Sequence, residues 1–141
     1  MFNLFWPILV IVAANTLYNI SAKLTPTHVH PFASFTISYF VATLLSILLF
    51  FITSENKNII SEIHKTNWTA VALGASVVAL EFGFIYLYRV GWNISTGSLI
   101  ANIALACVLL IVGVLIYKEN VSLQQIIGMV LCCVGLYLVT K

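Results

Sequence analysis

The sequence alternates five long apolar stretches with short polar links, a pattern that few folds can accommodate. The stretches cover residues 4–22, 32–52, 68–90, 96–117 and 125–139. A helix needs about 20 mostly apolar residues to cross the hydrocarbon core of a bilayer, and every stretch except the shorter last one is close to that length. Only helices and closed barrels satisfy the backbone in lipid. We therefore predict an all-α integral membrane protein with five transmembrane helices, folded as a single domain over residues 1–141.

Composition excludes a soluble domain and several classes of function. Charged residues make up 7% of the chain, against roughly 25% in ordinary soluble domains. No run of Lys or Arg indicates a nucleic-acid surface, and no Cys or His spacing indicates a metal or another cofactor. The sequence also lacks the residue pairs and clusters of intramembrane enzymes. We expect a non-enzymatic protein of the cell (plasma or inner) membrane, with the bilayer and a small-molecule substrate as partners.

Two of the links carry structural signals. KLTPTHVHP contains Pro26 and Pro31, which disfavour helix just before them and predict a turn. TSENKNIISEIHKTN is the longest link, and its Ile59, Ile60 and Ile63 predict one side of a short helix in the membrane interface. The remaining links are long enough only for tight antiparallel connections.

The charges on the two sides of the membrane are balanced. Five spans place the termini on opposite sides, and the Lys and Arg residues should then decide the orientation. One side carries Lys57, Lys65 and Lys118, and the other carries Lys23, Arg89 and Lys141. This balance permits insertion both ways round and predicts an antiparallel homodimer, similar to the inverted repeats of many transporters. The alternative is a single orientation, in which Arg89 or Lys23 is held by the protein and does not count.

Glu81 is the ionisable residue that lies well inside an apolar stretch. A charged carboxylate at that depth costs on the order of 2.5–3.5 kcal/mol, so something must offset the cost. Protonation is one route, because removal from water favours the neutral form. A cation is the other, either a basic substrate or a fixed partner such as Arg89 or Lys23. We predict that Glu81 binds a proton or a cationic substrate; the alternative is a locked ion pair that only holds helices together.

Three polar residues of the first stretch share one helical face, since Asn15, Tyr18 and Asn19 follow the i, i+3, i+4 spacing. Amides are unfavourable against lipid, so this face meets either a polar cavity or another helix through hydrogen bonds. Tyr39 and Asn102, each inside its own stretch, are weaker candidates for the same cavity. Together with Glu81, these residues form the predicted substrate or proton site.

Small residues recur on the last stretch at a spacing that lets helices approach closely. They are Gly128, Cys132 and Gly135, and faces of this kind are typical of helix contacts in membranes. We predict a subunit contact on this face, with packing inside one subunit as the alternative.

Three segments resemble the EamA-like branch of the drug/metabolite transporter superfamily, and the resemblance covers essentially the whole chain. GSLIANIALACVLLIVGVLIYKENVSLQQIIGMVLCCVGLYLV is similar to that family's last two helices, with its Lys-Glu pair, short Gln-containing link and paired glycines. LEFGFIYLYRVGWNIS is similar to the third-helix region of the small single-domain members. NISAKL is similar to the Lys-containing end of the first helix, where Lys23 is the match.

The resemblance implies an architecture and a mechanism. Longer members contain two five-helix units in inverted orientation around a central cavity, which implies that this chain is one half of such a transporter and must pair. The related small multidrug resistance proteins place an essential Glu on the first helix. The matching position here, counted back from Lys23, holds Asn15. Proton-coupled transport would then require Glu81 to take over that role.

These features predict a secondary-active transporter that exports small metabolites or organic cations and works as a dimer by alternating access. Two alternatives belong to other classes. One is a subunit of a lipid-carrier flippase that acts with a partner chain, as related short proteins of the superfamily suggest. The other is a structural membrane subunit without transport, in which Glu81 and Arg89 form a static pair.

Overall fold

The computed structural model describes residues 2–140, and that part of the chain is helical without any strand. The helices are α1 (Phe2–Leu24), α2 (Pro31–Thr53), α3 (Ile59–Ile63), α4 (Trp68–Arg89), α5 (Ile94–Leu115) and α6 (Leu123–Thr140). Four of them, α1, α2, α4 and α5, are long and apolar enough to cross a membrane, and α6 is a shorter apolar helix. This confirms the predicted all-α membrane fold. Lys141 lies outside the described residues.

The helix ends fall close to the predicted ones, and the differences have local causes. Helix α2 begins at Pro31, where the fixed φ of proline suits the first helical position and His30 before it is extended. Helix α5 ends at Leu115, earlier than predicted, because the chain turns away from the helix. In that turn Lys118 adopts a φ of 53° and the Glu119 N–H donates to the Gly113 carbonyl at 3.0 Å.

The longest link contains the predicted short helix. Helix α3 covers Ile59–Ile63, and the side chain of Asn58 caps it by accepting a hydrogen bond from the Ser61 N–H at 3.2 Å. An ion pair of 2.5 Å joins Glu62 to Lys65 just beyond it. Polar residues of the link thus form the cap and the ion pair that accompany this short helix.

The helices form two compact units, Met1–Arg89 and Val90–Lys141. In the first unit, α4 packs against both α1 and α2. The buried residues of this packing are Asn19, Ala22, Phe35, Ile85 and Tyr88. Aromatic rings complete it, including a parallel pair, Phe32 and Phe82, with centroids 5.5 Å apart.

The second unit consists of α5 packed against α6. Cys107 and Cys133 meet between the two helices with their Sγ atoms 3.8 Å apart. The thiols therefore act as small packing groups on this interface. Whether the two units behave as one domain stays a prediction.

Large apolar side chains cover most of the outer faces of the helices. Phe40 is 64% exposed and Leu48 is 55% exposed, and both lie on α2. Faces of this extent are incompatible with water but suit the acyl chains of a bilayer. Polar side chains that lie between the helices are therefore the candidates for function.

Candidate functional site

A small polar cavity lies in the first unit, where residues of α1, α2 and α4 converge. Its volume is about 110 Å³. The lining residues are Tyr18, Ser21, Ala22, Thr25, Ser34, Phe35, Ser38, Glu81 and Ile85. Six of these nine side chains are polar, and every one of the six carries oxygen and no nitrogen. The protein thus presents a carboxylate and five hydroxyl groups to one cavity, beside the apolar side chains of Ala22, Phe35 and Ile85.

Helical periodicity explains why these side chains converge. Ser34 and Ser38 are four residues apart on α2, and Glu81 and Ile85 have the same spacing on α4. Residues at this spacing project from one face of a helix. The cavity-facing residues of α1 and the turn after it, from Tyr18 to Thr25, also keep to one face. Faces of three helices therefore meet at Glu81, and those of α1 and α2 bring the hydroxyl groups.

Two tyrosine hydroxyls accompany the Glu81 carboxylate. Glu81 is half-buried, and the hydroxyls of Tyr18 and Tyr39 lie close enough to interact with it electrostatically. Both hydroxyls are buried, and neither makes a hydrogen bond of good geometry with any described residue. The Tyr39 hydroxyl faces Glu81 but falls short of a proper bond. Since buried hydroxyls are normally paired, the Tyr18 hydroxyl, which lines the cavity, has capacity for a ligand or a water.

Two other hydroxyls of the cavity already donate hydrogen bonds to backbone carbonyls. Thr25 Oγ1 donates to the Ser21 carbonyl at 3.0 Å, and Ser38 Oγ donates to the Ser34 carbonyl at 3.1 Å. A hydroxyl whose proton is used in this way still offers its lone pairs as acceptors. Toward the cavity, Thr25 and Ser38 therefore act as hydrogen-bond acceptors.

A separate hydrogen-bond network lies beside the cavity. Asn19 is 5% exposed, and its Nδ2 donates to the Asn15 carbonyl and to Asn15 Oδ1, both at 2.8 Å. The Tyr88 hydroxyl donates to Asn19 Oδ1 and so joins α4 to α1. The predicted polar face of α1 is therefore divided: Tyr18 lines the cavity, Asn19 joins α1 to α4, and Asn15 bonds Asn19 from within α1.

Replacing Tyr88 with Phe is expected to destabilise this contact. The substitution leaves Asn19 Oδ1 without its donor, and interhelical hydrogen bonds in membranes contribute about 0.6 and at most about 1.7 kcal/mol. Thermal unfolding in detergent should show a lower midpoint. Tyr86→Phe is the matched control, since Tyr86 lies on the same helix and is 58% exposed. Equal midpoints for the two variants would contradict the role of the Tyr88 hydroxyl.

Arg89, one of the two predicted charge partners, is bound to the turn between α1 and α2. Its Nη2 donates to the Pro26 carbonyl at 3.1 Å and to the Val29 carbonyl at 2.6 Å. Lys23, the other predicted partner, lies with Nζ 5.6 Å from the centroid of the Tyr88 ring, a cation–π arrangement. Both cations also lie in the last turns of their helices, where they complement the carbonyl dipoles.

The remaining predicted residues belong to the second unit. Asn102 is exposed, donates to the Ser98 carbonyl at 2.8 Å and lines a groove of about 450 Å³ formed by α5 and α6. Cys132 lines the same groove. On α6, no described atom lies within 4 Å of where a Cβ on Gly128 or Gly135 would stand. Both glycines are therefore open to a neighbouring chain or to lipid.

A comparison with known families agrees with this architecture. A family model described as EamA-like transporter family matches residues 4–141. The chain belongs to the EamA-like transporter family. It is therefore a membrane transporter of the drug/metabolite type, a class whose members are not enzymes. No curated protein and no solved structure matches the sequence.

For this EamA-like transporter, the sequence pattern missed the hydroxyl groups around Glu81. Ser21, Thr25, Ser34 and Ser38 line the cavity but were not among the predicted site residues. Their i, i+4 spacing on two neighbouring segments was a usable signal. It is weak, because Ser and Thr in membrane helices often bond only to their own backbone.

Proposed function

We propose that this EamA-like protein is a secondary-active transporter that exports small metabolites or organic cations, and that Glu81 binds either a proton or the cationic group of the substrate. The observation that carries the proposal is the Glu81 carboxylate in a cavity of hydroxyl oxygens between three helices. A carboxylate at this depth is costly unless its charge is offset. Intramembrane carboxylates accordingly tend to mark proton relays and ion pathways.

The surroundings of Arg89 favour transport over the static-pair alternative. Arg89 donates to two carbonyls of the turn, and it forms no ion pair with Glu81 within the described chain. The negative charge of Glu81 is thus available to a mobile cation. One carboxylate cannot hold a proton and a cation at once, so binding of one promotes release of the other. This competition couples the two fluxes.

We further propose that two copies pair in opposite orientations in the plasma or inner membrane. The support is the five-helix architecture, which corresponds to one half of the inverted-repeat transporters that the sequence resembles. The open glycine face of α6, Gly128 and Gly135, is a surface that a second copy could contact. Arg89 and Lys23 both contact the protein, so they count less toward the orientation of the chain. The balance of charges on the two sides is therefore weaker support for pairing than the five-helix architecture.

The test of transport is proton-driven flux in proteoliposomes. The purified full-length protein is reconstituted, a pH gradient is imposed, and uptake is measured for radiolabelled organic cations and small metabolites. We expect uptake of at least one cationic compound that collapses when the gradient is dissipated. Uptake that is indifferent to the gradient, or absent from the whole panel, would contradict the proposal.

The test of pairing is the orientation of the C-terminus. Reporters that are active on opposite sides of the membrane are fused after Lys141. We expect activity from both, because both orientations must occur in an antiparallel dimer. Activity from one side only would overturn the pairing and favour the single-orientation alternative.

A further inference from the structure

We propose that the Glu81 cavity is a subsite for a primary ammonium group, and that it discriminates against quaternary ammonium ions and bare alkali ions. This inference rests on the proposed function, since it names the part of the substrate that Glu81 holds. It is carried by three features of the cavity: polar side chains that carry oxygen and no nitrogen, the hydroxyl protons of Thr25 and Ser38 that are already given to backbone carbonyls, and aromatic rings that pack on other rings.

The lining calls for a ligand that donates several hydrogen bonds. The polar side chains supply oxygen atoms only, and Thr25 and Ser38 have already given their protons to backbone carbonyls. Their free lone pairs, together with a carboxylate, form a set of acceptors without a fixed donor. A primary ammonium group carries three N–H donors and one positive charge. It can bond Glu81 and two hydroxyl oxygens at the same time.

The tyrosine hydroxyls supply a second, independent indication of a ligand. Tyr18 lines the cavity with a buried hydroxyl that has no hydrogen-bond partner among the described residues, and the Tyr39 hydroxyl lies on the Glu81 carboxylate from outside the lining. When a cation neutralises the carboxylate, such hydroxyls can donate to its remaining lone pairs or accept from the ligand. Either arrangement removes the cost of leaving them unpaired.

The aromatic contacts, more than the volume, disfavour quaternary ammonium ions. At about 110 Å³ the cavity is smaller than the ~150 Å³ engineered cavity that holds a benzene ring. Quaternary ammonium ions are recognised by aromatic faces, but the Tyr18 ring is packed on Phe84 and the Phe35 ring on Phe32. A bare sodium ion is smaller than a water molecule, which occupies ~30 Å³, so it contacts only part of the lining unless it keeps water molecules of its own.

A series of methylated ammonium ions tests the inference at constant charge. Detergent-solubilised full-length protein is titrated with the chlorides of methylammonium, dimethylammonium, trimethylammonium, tetramethylammonium and sodium, and the shift in thermal unfolding gives an apparent affinity. We expect affinity to fall as N–H groups are lost, with methylammonium bound at least about tenfold more tightly than tetramethylammonium. Tetramethylammonium or sodium binding as tightly as methylammonium overturns the proposal, and so does the absence of any shift with methylammonium.

Two serine variants test whether the order of affinities for the ammonium ions arises in the Glu81 cavity. Ser38→Ala removes an acceptor without changing charge and should weaken methylammonium binding several-fold while leaving the weak binding of tetramethylammonium unchanged. Ser34→Ala serves the same purpose if Ser38→Ala does not fold. Ser46→Ala is the control, since Ser46 lies exposed on the same helix and bonds its own backbone. Equal effects of Ser46→Ala and Ser38→Ala would contradict the assignment. If a Glu81 variant lost transport but the affinities of the wild type did not follow the number of N–H groups, the transport proposal would stand. The primary-ammonium subsite would then be rejected.

Discussion

Glu81→Gln is expected to lower proton-driven transport at least about 100-fold, because the substitution removes the charge on which proton and cation compete. The amide has nearly the same shape as the carboxyl group and can still bond the neighbouring hydroxyls. The helices should therefore pack as before, and the thermal midpoint in detergent should change little. Flux is measured in proteoliposomes at matched protein content, with and without a pH gradient.

The matched control is Glu119→Gln. Glu119 is an exposed carboxylate in the link between α5 and α6, beside Gly113, and its substitution should leave flux unchanged. Normal flux in Glu81→Gln would remove Glu81 from the mechanism. A protein that no longer folds would instead indicate the structural-subunit alternative, in which the carboxylate holds helices together.

Arg89→Ala is expected to have the largest effect on stability. The guanidinium bonds two carbonyls of the α1–α2 turn, Pro26 and Val29, and hydrogen bonds to charged groups contribute about 1.5–3 kcal/mol each. Water at the membrane surface can replace part of this, so we expect a loss of about 2 kcal/mol in the free energy of unfolding. Thermal unfolding and protease cleavage within the turn are the measurements.

Arg89→Lys separates the charge from the fork-shaped geometry of the guanidinium. Lys keeps the charge but cannot span two carbonyls in the same way, so its stability should fall between those of the wild type and Arg89→Ala. If Arg89→Ala were fully stable yet transported nothing, Arg89 would act on the substrate path or on Glu81 of a second copy. That result would contradict the stabilising role of the Arg89 hydrogen bonds to the α1–α2 turn.

Much of the fold could be predicted because lipid imposes simple rules. Each spanning helix has to be apolar over a nearly fixed length, so the stretches 32–52 and 68–90 closely match Pro31–Thr53 and Trp68–Arg89. The turn at Pro26 and Pro31 and the short helix at Ile59–Ile63 follow from local chemistry. The two-residue differences at both ends of α5 come from turn geometry that hydropathy does not contain.

The site was predicted less completely, because the sequence does not show which helices meet. The sequence predicts Glu81 and Tyr18 as members of one cavity, and in the structure both line the same cavity. Asn19 has the same polarity as a cavity residue, but its position opposite Tyr88 turns it into a helix contact. Asn102 lies in the second unit, a distinction that composition and spacing cannot reveal.

Proton release on substrate binding tests the central claim most directly. Purified protein in weakly buffered detergent solution is mixed with saturating methylammonium, or with a transported cation from the flux panel, and the pH change is converted into protons per chain. If one carboxylate binds either ligand, the wild type should release up to about one proton per chain and Glu81→Gln none. Equal release from both proteins, or cation binding by the wild type without release at any starting pH, would contradict exchange at Glu81.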